Sequence, residues 1–167
     1  MKTLEMLLTS DYLADDEVQA DILELHRLCV AECSKSKNIV KLMASVGVFA
    51  GMLGSSNTEL CKKALKTLLF LLYQAFPKVR KLAAEKLYTG LLTMEEYDHL
   101  ISGGEDAYDE VNDLISETDW SQDVKVLKAE TQVKMYAYFG HEVKAAAPKG
   151  GANEENIQPN VQKPVAD

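Results

Sequence analysis

The apolar positions along this 167-residue chain fall at intervals of three and four almost throughout, the spacing of one face of an α-helix. A short helix is expected at the start, with Leu4, Leu7 and Leu8 on one side. Asp15, Asp16 and Glu17 then place negative charge where a second helix begins, the end its dipole favours. That helix carries the stripe Val18, Ile22, Leu25, Cys29, Cys33. The third has the cleanest pattern: Ile39, Leu42, Met43, Val46, Phe49, Ala50 and Leu53, with Gly54 as its stop.

Ser56-Asn57-Thr58-Glu59 reads as a capping box, Ser56 capping the fourth helix and Glu59 reaching back. The run Cys61, Ala64, Leu65, Leu68, Leu69, Leu71, Leu72, Ala75 is too broad for a surface stripe, so this helix is predicted to lie between neighbours. Pro77 suits the first position of the next helix, which turns Val79, Leu82, Ala83, Leu87 and Leu91 inward. A broken connector over 94–104 leads to an acidic helix burying Ala107, Val111, Leu114 and Ile115. Thr118-Asp119 offers caps for a last helix with the stripe Val124, Leu127, Thr131, Met135, Tyr138, ended by Gly140, and Trp120 is expected to anchor the junction. The expected organisation is a helical domain over 1–143 and a disordered tail over 144–167, where Pro, Gly, Asn, Gln and Lys replace large apolar groups. The fold class is therefore all-α.

Charge adds a surface to this scaffold. The net charge is −8, which argues against nucleic acid as a partner. Residues 38–94, however, hold eight lysines and arginines against two glutamates, while residues 95–123 hold eleven carboxylates and no lysine or arginine. Such asymmetry orients a charged partner. Lys62, Lys63 and Lys66 in the early turns of the fourth helix, with Lys78 and Lys81 opening the fifth, form the candidate binding surface. No apolar run is long enough to span a membrane, and the N-terminus lacks the features of a secretory signal. Three cysteines among helix-forming residues fit reduced thiols in the cytosol.

Candidate chemistry is sparse. His26, His99 and His141 lie far apart, and Cys29 with Cys33 supplies two ligands where zinc needs three or four, so no metal is expected. The acidic run Glu105, Asp106, Asp109, Glu110, Asp113 lacks the loop spacing and central glycine of a calcium-binding EF-hand. Neither a nucleophile elbow nor a phosphate-cradling glycine loop is present. Neither a catalytic residue nor a cofactor is expected.

The run Pro77-Lys78-Val79-Arg80-Lys81-Leu82-Ala83-Ala84-Glu85-Lys86-Leu87 is similar to the second helix of a HEAT repeat, which places Pro77, Val79, Arg80, Ala83 and Leu87 in structural positions. Arg80 there is a helix-tying group rather than an arginine finger. A longer stretch resembles the C-terminal region of the tubulin-specific chaperone D (tubulin-folding cofactor D) family. It comprises Lys37-Asn38-Ile39 through Gly51-Met52-Leu53-Gly54, Phe76-Pro77-Lys78-Val79-Arg80-Lys81, Lys86-Leu87-Tyr88-Thr89-Gly90-Leu91-Leu92-Thr93 and Leu114-Ile115-Ser116-Glu117-Thr118-Asp119-Trp120, over roughly 37–140. The resemblance implies an α-α superhelix of HEAT-like antiparallel helix pairs in a cytoplasmic, microtubule-associated protein. It further implies binding of β-tubulin, in concert with other tubulin cofactors and an Arf-like small GTPase, to assemble or dismantle the αβ-tubulin heterodimer and stimulate GTP hydrolysis by tubulin. The competing expectations are a HEAT-type adaptor docking a small GTPase or another protein, and a structural cap closing a longer solenoid.

Overall fold

In the computed structural model, residues 19–94 and 97–141 are described, and all the regular structure among them is helical. The elements are α1 (Gln19–Cys33), α2 (Ile39–Leu53), α3 (Thr58–Leu72), α4 (Pro77–Leu92), α5 (Gly104–Glu117), α6 (Val124–Leu127), a π-helical turn (Lys128–Gln132) and α7 (Val133–Tyr138). The expected opening helix, the onset of the second at Asp15–Val18 and the tail over 144–167 lie outside the described residues.

Two of the first three turns share one device. The Asn38 side chain accepts from the Lys41 amide at 3.1 Å and its own N–H donates to Ser36 Oγ at 3.2 Å. Nineteen residues on, Asn57 accepts from the Leu60 amide at 3.0 Å and donates to Ser55 Oγ at 3.2 Å. The N-cap of α3 is therefore Asn57 and not Ser56. The Ser55–Asn57 turn sets the register, and Glu59, released from capping, pairs with Lys63 at 3.3 Å. Pro77 stands at the start of α4, where its missing N–H costs nothing.

The short connections 34–38, 54–57 and 73–76 make successive helices double back, giving the antiparallel pairs expected of a HEAT-like stack. Helices α2, α3 and α4 pack mutually and form the centre. α1 lies on α2 and α3, α5 on α4, and α7 on α5. Leu42, Val46, Phe49 and Leu53 of α2 meet Leu65, Leu68, Leu69 and Leu72 of α3 and Val79, Ala83, Leu87 and Leu91 of α4, all buried. Small residues set the spacing: a Cβ on Gly90 would stand 3.0 Å from Leu53 Cδ2, so its absence lets α4 approach α2. The Leu-rich α3 is sandwiched as expected, with one exception. Phe70 is half exposed. Ala75, expected on the apolar face of α3, is exposed because the helix ends at Leu72.

The connector after α4 turns Leu100 and Ile101 inward and is closed by the Ser102 amide donating to Tyr138 O at 2.9 Å. Gly103 takes a left-handed backbone (φ 119°), with Ala107 Cβ 2.8 Å from where a side chain would begin. The cap of α6 is Asp123, which accepts from the Lys125 amide at 2.8 Å, rather than Thr118-Asp119. Asp119 is used in a local turn to Ser121, and Thr118 bonds back to Leu114 O.

The last helix is continuous in course but widened by the π-helical turn. Thr131 sits there, donating to Leu127 O at 2.8 Å and accepting from the Tyr73 hydroxyl at 3.0 Å. Burial, only partly offset by that bond to Thr131, pushes the Tyr73 phenol up to about 12. A phenol at about 10 in the unfolded chain thus ionises before its folded counterpart. Its contribution is complete below pH 10 and is lost as pH rises towards 12, about 2–3 kcal/mol in all. Urea unfolding at pH 9 and pH 11.5 should show this loss in the parent chain and a clearly smaller one in Tyr73→Phe. Equal losses would rule Tyr73 out as the source.

Candidate partner-binding surface

The five lysines of the candidate surface are all exposed, but they do not share one face. Lys63 and Lys66 line a groove of about 760 Å³ between α1 and α3. Its apolar surface comes from Leu23, Val30 and Phe70, and Arg27 stands on the opposite wall from the lysines. Lys62 is one residue removed and is not part of the lining. Lys81 belongs to a smaller depression of about 270 Å³ between α4 and α5, facing Asp119 and Glu85. Lys78 is exposed in the first turn of α4. The sequence cluster therefore separates into a pair beside an apolar groove and isolated charges elsewhere.

His26, with no role assigned from sequence, lies under the α1–α3 groove. Its Nε2 is 3.2 Å from Thr67 Oγ1 and its ring meets Phe49 edge-on at 5.4 Å. Burial lowers its pKa, partly opposed by a hydrogen bond with the Lys63 backbone and helped by the Lys63 charge, so it is neutral at pH 7. Arg27 is held by Glu24 through two bonds of 2.6 and 2.7 Å. The signal for this groove was a second stripe on α1 (Leu23, Arg27, Val30), offset from the core stripe and at the same helical spacing.

The HEAT-like positions meet at a different place. Arg80 is buried, and its guanidinium donates to four backbone carbonyls: Gln74 at 2.8 Å, Ala75 at 3.1 Å, Trp120 at 3.0 Å and Gln122 at 2.5 Å. It ties the α3–α4 turn to the α5–α6 junction. Burial lowers its pKa from the ordinary arginine value, with the Asp123 carboxylate opposing, and it stays charged at any physiological pH. Trp120 is buried beside it, its Nε1 donating to Ile115 O at 2.9 Å and its ring meeting Tyr73 edge-on at 6.0 Å. Val79, Ala83 and Leu87 are fully buried in α4.

The cysteines Cys29, Cys33 and Cys61 are free and buried. Desolvation raises the thiols of Cys29 and Cys61, which disfavours the reactive thiolate. Among the described residues no group of three or more His, Cys, Asp or Glu side chains could hold a metal ion, and no helix is long and apolar enough to cross a membrane. No protein-family model and no solved structure matches the chain.

Proposed function

We propose that this chain is a binding and scaffold element without chemistry of its own. In this reading it acts as the C-terminal portion of a chaperone similar to tubulin-specific chaperone D. It helps hold and position β-tubulin during assembly or disassembly of the αβ heterodimer, alongside other tubulin cofactors and an Arf-like GTPase, in the cytoplasm and near microtubules. One observation supports this most. Two of the segments that carry the resemblance, Phe76–Lys81 and Leu114–Trp120, are joined by the bond from Arg80 Nε to Trp120 O, so residues forty apart in sequence act as one structural unit. Exposed lysines on α3 suit a partner with an acidic surface.

The test is association of the full chain with purified αβ-tubulin, followed by interferometry at about 50 mM and about 300 mM salt, where the Debye length differs more than twofold. Lys62→Glu, Lys63→Glu and Lys66→Glu together should slow association about tenfold at the lower salt and much less at the higher. An unchanged rate removes the lysines from the interface. Absence of binding at both salts, with nucleotide-dependent capture of a small GTPase instead, would favour the adaptor reading.

A further inference from the structure

The α1–α3 groove has a regular geometry. On α1 and the turn that follows it, its wall is set by Leu23, Arg27, Val30 and Ser34. On α3 it is set by Glu59, Lys63, Lys66 and Phe70. Steps of three and four on both sides mean that the groove runs along both helices for three turns, roughly 16 Å at the α-helical rise. Its apolar contacts are spaced along that length, and Phe70, half exposed on an otherwise buried run of leucines, presents an aromatic face to it. Elongated apolar grooves between two helices receive a third helix through residues at i, i+4 and i+7.

The charges decide what kind of helix. Arg27 is committed to Glu24, and Lys63 to Glu59. Lys66 is exposed and has no ion-pair partner among the described residues. Among the described residues the groove thus carries one positive charge without an ion-pair partner, in a chain whose net charge is −8. We propose that the groove docks one helical segment of a partner protein, about three turns long, with apolar residues against Leu23, Val30 and Phe70 and a carboxylate reaching Lys66. This rests on the reading of the α3 lysines as partner-facing, and it holds whether or not the partner is tubulin.

The test uses the full chain and two labelled synthetic helical peptides with leucines at i, i+4 and i+7, one with glutamates and one with lysines at the remaining polar positions. Fluorescence anisotropy should show saturable binding of the acidic peptide only, and NMR titration should place the shifts at Leu23, Val30 and Phe70. Phe70→Ala should weaken binding about tenfold, the usual scale for truncating an interface aromatic. Because Phe70 lies outside the core, circular dichroism should be unchanged. Lys66→Gln should weaken binding several-fold and Lys63→Gln less, since Lys63 is already paired. Equal binding of the basic peptide, shifts elsewhere, or indifference to both Phe70→Ala and Lys66→Gln would each overturn the proposal. Two other occupants would overturn it as well. One is a second copy, seen as self-association that Phe70→Ala abolishes. The other is the chain's own start, seen as peptide binding only after Leu4→Asp, Leu7→Asp and Leu8→Asp. The peptides contain no tubulin sequence, so their result and the tubulin result stand or fall separately.

Discussion

Arg80→Ala should lower the unfolding free energy by about 3–5 kcal/mol, the scale for removing one partner from a buried charge-assisted network. The side chain is 1 % exposed, and its four donated bonds end on carbonyls from two separate segments, Gln74–Ala75 and Trp120–Gln122. Truncation leaves those acceptors unpaired and opens a hole at the meeting point of α3, α4 and the α5–α6 junction. Against a total stability of about 5–15 kcal/mol such a loss is large. Arg80→Met keeps most of the volume and removes the donors, so it should retain part of the loss, about 2–3 kcal/mol. Arg80→Lys retains the charge but replaces a planar fork by a point donor that cannot span both segments, and should fall near the Met value. Urea unfolding followed by the fluorescence of Trp120, the one tryptophan in the chain, measures all three. A cost below about 1 kcal/mol for Arg80→Ala would mean that water replaces the guanidinium freely and that the tie is incidental.

What could be read beforehand, and what could not, divides along the range of the interactions. The stripe Leu42, Val46, Phe49, Leu53 is legible because helix periodicity is local, and all four are buried. Pro77 at the start of α4 is legible because its ring and missing N–H restrict where it can stand. The cap of α3 was displaced by one position, since Ser56 and Asn57 are both capping types and the choice is made by the Ser55 turn. The arginine position was legible through its HEAT-like surroundings, but not its acceptors, because backbone carbonyls leave no mark in sequence. Thr131 in the π-helical turn is bonded to Tyr73, fifty-eight residues away, a partner that local sequence does not show. Phe70 is absent from the apolar run expected for α3, but nothing local marks it as lining a groove. Its exposure follows from how α1 crosses α3, which leaves a strip of α3 uncovered. The lysine cluster was legible as charge, and its separation into a groove pair and isolated cations depends on packing.

Trp120→Ala should cost about 3–5 kcal/mol, as for other buried aromatic truncations, and through a different route from Arg80. The indole is 5 % exposed, fills the corner between α5 and α6, meets the Tyr73 ring edge-on and satisfies the Ile115 carbonyl near the end of α5. Removing it creates a cavity, leaves that carbonyl without its donor, and frees the backbone whose carbonyl Arg80 holds. Trp120→Phe keeps an aromatic ring against Tyr73 while losing the donor, so its cost should be about 1–3 kcal/mol. Both are measured by urea unfolding monitored by circular dichroism, because the fluorophore itself is changed. The double variant with Arg80→Ala should cost clearly less than the sum of the two single changes, by about 1–2 kcal/mol. Once the α5–α6 junction has come loose, releasing its second attachment has less left to destroy. Strict additivity would show instead that the two residues stabilise separate regions, and the idea that the segments Phe76–Lys81 and Leu114–Trp120 form one unit would lose its energetic basis.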